Sequence, residues 1–218
     1  MVRPFRLQAG DSAPRQQSPT TCGSASLTVA RMLADPWFAR WIGAGLDRQA
    51  SEDAVPPPAL VGTASERFAA YERIVMGRTN ALFGGAGRLQ LPWPRALGTP
   101  PWGARNELGL GIGPPGTRYV MRPIRFGSRG GLERAFADLC SRVAPGRPAL
   151  LYVGNVRLPR HVVLVLPATG ESELDVYEPS SGRVVGLGRE AFVTRSLALA
   201  GWNVPWAAVW ADRVVIAS

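Results

Sequence analysis

From Cys22 onward the apolar positions Leu27, Ala30, Met32 and Leu33 fall at helical spacing and predict a partly buried helix over Cys22 to Ala34. Thr20 or Thr21 can cap its start, and Asp35-Pro36 ends it. Phe68, Tyr71, Ile74 and Val75 repeat the helical period over Ala64 to Val75, as do Leu132, Phe136, Leu139 and Cys140 over Ser128 to Val143. Elsewhere the apolar runs are short and bounded by turn residues, which predicts strands. These run from Arg118 to Phe126, interrupted by Pro123, from Pro148 to Val153, and from His161 to Leu166. Leu174 to Tyr177 and Val184 to Leu187 read as hairpin arms around Pro179-Ser180-Ser181-Gly182. A short helix near Arg189 to Ala200 and two β segments, Ala207 to Trp210 and Val214 to Ala217, close the chain. Residues 1–18 read as an irregular lead-in. Helices first and an antiparallel sheet afterwards give an α+β fold.

The stretch from about 43 to 116 is broken by Pro56-Pro57-Pro58, by Gly84, Gly85 and Gly87, and by Pro92-Trp93-Pro94 and Pro100-Pro101-Trp102. Its glycines are backbone turns, because no Lys-Ser/Thr pair follows them as in a phosphate-binding loop. The organisation expected is one domain over 1–218 with a loop-rich insertion at about 43–116, whose aromatic and Arg side chains could line a groove.

Composition narrows the function classes. With 218 residues, 46% of them hydrophobic, the chain can bury a substantial core and is not of disordered composition. No run of about 18 apolar residues predicts a membrane span, and Met1 to Arg6 lack an apolar leader core. The expected location is therefore cytoplasmic, with secretion as a leaderless effector the alternative. Two Cys and one His speak against a disulfide scaffold or a Cys/His zinc site. The net charge of +9 comes entirely with Arg, since the chain has no Lys. These Arg are scattered, with no basic block and no interleaved aromatic stripe, so a GC-rich codon usage explains them better than a nucleic-acid partner.

Four elements carry chemistry in order: Gln16, Cys22-Gly23 opening a helix, His161 opening a strand, and Glu178-Pro179 at a turn. A Cys at a helix N-terminus sits at the positive end of the backbone dipole, which favours thiolate. An imidazole would favour it further and could protonate a leaving group, while a carboxylate would orient that imidazole. A Gln amide and the Cys22 backbone N–H could donate to an oxyanion. Cys140 reads as core, and Trp93, Trp102, Trp202, Trp206 and Trp210 read as packing residues.

The segment Gln16-Gln17-Ser18-Pro19-Thr20-Thr21-Cys22-Gly23-Ser24-Ala25-Ser26-Leu27 resembles the papain-like cysteine peptidases, and more closely the bacteriocin-processing, double-glycine leader peptidases and their stand-alone relatives. Gln16 stands six residues before the Cys, as is typical there. Gly146 to Val153 followed by His161-Val162-Val163-Leu164-Val165 is similar to that family's strand, loop and His-led strand. Leu174 to Gly182 is similar to its hairpin, with Glu178 where the family usually has Asp or Asn. The resemblance covers about residues 14–34 and 128–187.

It implies a papain-like fold, with an N-terminal helical part carrying the Cys helix packed on a C-terminal antiparallel sheet. It also implies a thiol peptidase or related amide hydrolase working through Cys22, His161, Glu178 and Gln16 by way of a thioester, with a peptide or protein substrate and no metal or organic cofactor. Asp175 is the alternative acid. A non-catalytic binding module on this scaffold, or an effector with deamidase or acyl-transfer activity, is the alternative function.

Overall fold

The computed structural model describes residues 4–45, 62–170 and 173–212. The expected breaker Pro56-Pro57-Pro58 and the β segment at 214–217 lie outside them. Among the described residues the elements in order are α1 (Cys22–Ala34), α2 (Pro36–Ala44), α3 (Ala64–Asn80), α4 (Pro101–Leu108), β1 (Tyr119–Pro123), α5 (Arg129–Arg142), β2 (Ala149–Gly154), β3 (Pro159–Pro167), β4 (Leu174–Glu178), β5 (Arg183–Leu187), α6 (Arg189–Val193) and β6 (Val204–Ala211). The fold is α+β. The six strands form one antiparallel sheet in the order β1-β6-β2-β3-β4-β5.

Both faces of this sheet are covered. Leu150, Tyr152, Val162, Leu164 and Tyr177 face α1 to α4 in one apolar cluster. Leu151, Val163, Val165 and Val176 face α5 and α6 in another. Alternation of side chains along a strand sends neighbours to opposite faces, so β2, buried at all six positions, must be apolar throughout. The Cys helix thus packs on the sheet, but the helical part is not confined to the N-terminal side. Cys140 is half-buried against the second cluster, whereas Cys22 belongs to the first.

Helix α1 is the centre of the first layer. Its small residues let it sink completely: Cys22 through Ala30 are all buried. Their hydroxyls are satisfied locally, with Ser24 Oγ donating to the Thr21 carbonyl and Thr28 Oγ1 to that of Ser24. Ser26 Oγ donates to the Val162 carbonyl at 3.3 Å and ties α1 to β3 one residue from His161. The capping expectation needs correction. Thr21 occupies the cap position without a side-chain cap bond, and its hydroxyl instead donates to the Ser18 carbonyl.

The stretch 43–116 contains the expected helix, α3, and a second one, α4, that was not expected. Helices α3 and α4 contribute Phe68, Tyr71, Val75, Ala104 and Leu108 to the first cluster. Pro100-Pro101-Trp102 is not a loop, because Pro101 opens α4 at a position where its missing N–H costs nothing. The irregular run between α3 and α4 is pinned by buried amides. Gln90 Nε2 donates to the carbonyls of Arg78, Thr79 and Ala81, and Asn80 Nδ2 donates to Gly98 at 2.7 Å. This sets Thr99 against the start of α1, where a Cβ on Gly23 would lie 2.5 Å from Thr99 Cβ. Gly23→Ala is therefore expected to destabilise the protein by about 1–3 kcal/mol. Chemical denaturation would show it as a lower midpoint, and an unchanged midpoint would mean that Thr99 yields freely.

The lead-in is less irregular than its sequence. Ser12 bridges Arg183, the Ala13 N–H donates to the Gly182 carbonyl, and the Gln16 N–H donates to that of Pro179 at 2.9 Å. Tyr177 Oη donates to the Pro14 carbonyl at 2.6 Å. Residues 10–16 form a strap along β5 and its turn. Gly182, at φ +68°, is the one turn position that a side chain could not take, since its Cβ would lie 2.5 Å from the Ala13 carbonyl.

Candidate active site

The strap delivers Gln16 to the β4–β5 turn, and α1 delivers Cys22 to the end of β3. Past the last β3–β4 pair, Leu164 with Tyr177, the two strands leave their ladder, and His161 and Glu178 close on each other. His161 Nε2 lies 2.7 Å from Glu178 Oε1, and both side chains are buried. Cys22 lies beside the ring, close enough to raise its pKa, and Nδ1 is the nitrogen that Glu178 leaves free.

Electrostatics follow from this enclosure. Burial works against a charged imidazole, but hydrogen bonds with Cys22 and Glu178 and charge attraction from both override it, and the His161 pKa is pushed up to about 9. For Glu178 burial alone would raise the pKa. Hydrogen bonds from His161, Ser181 and Ser180 hold it far below the usual carboxylate range instead. Both oxygens are held. Oε1 accepts from the Ser180 N–H at 2.8 Å, and Oε2 accepts from Ser180 Oγ at 2.8 Å and the Ser181 N–H at 2.9 Å.

His161 is the only histidine in the chain, so its titration is directly visible. Its imidazole resonances are expected to titrate near pH 9 rather than near 6.5. A folded pKa above the unfolded one means that this group's stabilisation is complete below about pH 6.5 and is lost as pH rises through about 9. A midpoint at or below 6.5 by NMR would show that the ring has no anionic partner.

Gln16 lies beside this group. Its Nε2 donates to the Ser18 carbonyl at 2.8 Å, the same oxygen that receives the Thr21 N–H and hydroxyl, immediately before Cys22. One amide hydrogen is thereby used, and Oε1 is buried without a hydrogen-bond partner. The first N–H groups of α1 have no partners within the helix, and no acidic side chain stands in its first turn. Asp175 is placed elsewhere. Fully buried, it accepts from the Ala9 N–H and from the Thr169 N–H and hydroxyl, the last at 2.6 Å. Of the two carboxylates considered for the histidine, Glu178 is the one bonded to it.

Four neighbours escaped the sequence reading. Ser180 and Ser181 hold the Glu178 carboxylate, and the signal available was two hydroxyl residues directly after Glu-Pro in a turn. Tyr152 is buried next to Cys22, and its hydroxyl donates to the Thr99 carbonyl at 3.1 Å. Burial, with Cys22 beside it, pushes the Tyr152 pKa well above its usual value. Glu72 lies under the loop that leads to Cys22. Burial raises its pKa to about 7, opposed by the neighbouring Thr21 side chain and by the Gln17 N–H, which donates to it. Its signal was a charge four residues after Phe68 and three before Val75, on the apolar stripe of α3.

Among the described residues, no helix is long and apolar enough to cross a membrane. No protein-family model matches the chain and no curated protein is similar to it, so the chemistry stands on these side chains themselves.

Proposed function

We propose that the protein is a cysteine peptidase or related amide hydrolase, with the papain-like arrangement that the Gln16–Cys22–His161–Glu178 order resembles. The observation that carries this reading is the buried His161 ring bonded to the Glu178 carboxylate, with Cys22 beside it. A thiolate paired with an imidazolium is both a nucleophile and a poised acid.

In the reaction, Cys22 Sγ attacks the carbonyl carbon of an amide. The carbonyl electron pair moves to oxygen, where the N–H groups at the α1 start and the second Gln16 amide hydrogen can receive it. The C–N bond then breaks as His161 gives its proton to the departing nitrogen, leaving a thioester. Neutral His161 next takes a proton from water, whose oxygen attacks the thioester. The C–S bond breaks, and the carboxylic product and the Cys22–His161 pair are regenerated. Glu178 keeps its charge throughout and orients the ring. Attack on the thioester by an amine would give acyl transfer, and a Gln side chain as substrate would give deamidation. The requirement for a free thiol suits a reducing compartment.

Incubation with a mixed peptide library in ¹⁸O-labelled water tests this. Hydrolysis places label in new C-terminal carboxyls, and deamidation places it in new Glu side chains. Both must vanish in Cys22→Ala. The absence of any Cys22-dependent product would leave a binding module on this scaffold.

A further inference from the structure

The sheet has an open edge remote from the cysteine, and a cavity of about 710 Å³ lies along it. It is bordered by Arg88, by the end of α4, by Gly109, Gly116 and Thr117, and by five successive residues, Arg118 through Arg122. Successive strand side chains point to opposite faces, so five in a row can border one cavity only if the strand's edge faces it.

The register shows which backbone groups are available. Asp212 N–H donates to the Arg118 carbonyl, and Ile124 N–H donates to that of Trp206. The even positions of β1 therefore bond to β6, and Tyr119 and Met121 turn their N–H and C=O groups outward. No hydrogen bond to these groups occurs among the described residues.

Charge lies on both sides of that edge. Arg118 and Arg122 share the face of Val120, which packs toward the α5 layer. Arg105 belongs to α4 on the opposite face, and Arg88 NH1 comes close to Gly109 at the end of α4. All four Arg line the cavity, no Asp or Glu does, and among the described residues none of the four forms an ion pair.

We propose that this edge binds an extended acidic peptide segment as an added strand. Its main chain would bond to Tyr119 and Met121. Its alternate side chains would fall on the two faces, so carboxylates at both sets of positions would meet an Arg. The main-chain groups make strand addition the better fit than a nucleic acid, because Tyr119, the aromatic residue in the lining, is buried in the first cluster and presents no open ring for stacking. At the usual strand spacing the site lies about 14 Å across the sheet from β3. It is a second binding site, and it stands whether or not Cys22 is a nucleophile.

Fluorescence anisotropy at low salt, with a labelled peptide of repeating Glu-Glu and Thr-Val pairs, tests the proposal without turnover. The peptide is expected to bind the full chain, and Arg118→Glu/Arg122→Glu to weaken it by about tenfold or more. The same peptide N-methylated at alternate residues removes main-chain donors while leaving the protein unchanged, and should also lose about tenfold or more. No binding of the parent peptide, equal binding of the N-methylated peptide, or tighter binding of single-stranded oligo-dT at the same salt would each overturn it.

Discussion

Replacing His161 with Ala is expected to slow alkylation of Cys22 by iodoacetamide at pH 6 by about tenfold to a hundredfold. Loss of its proton transfer should lower any amide turnover by about 10²–10⁴-fold. The ring lies beside the Cys22 side chain, and its pKa is pushed up to about 9. At pH 6 it is thus a full positive charge beside the sulfur. Cys140 supplies a reference within the same molecule. It sits against the other face of the sheet, and burial, then the charge of Glu173, pushes its pKa up. Peptide mapping after brief labelling should find Cys22 modified well before Cys140 in the native protein. Equal rates at the two cysteines in folded protein would show that His161 does not activate Cys22, and would remove the proposed mechanism.

Glu178→Gln should produce two losses at once. A carboxylate offers acceptor sites on both oxygens, and Glu178 uses them for His161, Ser180 and Ser181. An amide has one oxygen, so its NH₂ must face the donors on the other side. Leaving a buried donor unmatched costs about 1–3 kcal/mol, visible as a lower unfolding midpoint. The second loss is the negative charge that supports the imidazolium, so the His161 titration should move down from about 9 toward its ordinary value. Asp175→Asn separates the two. It also sits among donors, the Ala9 N–H and the Thr169 N–H and hydroxyl, so stability should fall comparably. The His161 titration and Cys22 labelling should not change. If Asp175→Asn shifted them and Glu178→Gln did not, the roles of the two acids would be reversed.

Local signals were readable in the sequence, and long-range ones were not. The bounds of α1 and α5 follow from their apolar spacing and from Asp35 and Ser128 at their ends. The hairpin around Pro179-Ser180-Ser181-Gly182 likewise matches β4 and β5. Helix α2 was missed because Pro36 reads as a terminator. Asp35 in fact ends α1 and also accepts from the N–H groups of Trp37 and Phe38, starting a new helix with Pro at its first position. The strap was missed because its bonds join residues 10–16 to a turn more than 160 positions away, and its Gly and Pro hide any strand alternation. For α5, periodicity reveals an apolar stripe but not which face of the sheet receives it. In the site, the order of Gln16, Cys22, His161 and Glu178 suggested the grouping. The serines that fix Glu178 needed the turn geometry.

The strap has a further consequence for how copies of the chain can meet. Along β5 the outward main-chain groups belong to Val184 and Gly186, and Val184 is already bonded to Gly10 and Asp11. That leaves β1 as the one border of the sheet with adjacent unsatisfied positions among the described residues. A border that can pair only with its own kind consumes itself when two molecules join. Growth through this sheet therefore terminates at a two-fold pair instead of propagating as a filament. In the register that pairs Tyr119 with Met121 of the other copy, Arg118 faces the other copy's Arg122, so like charges oppose even that first step.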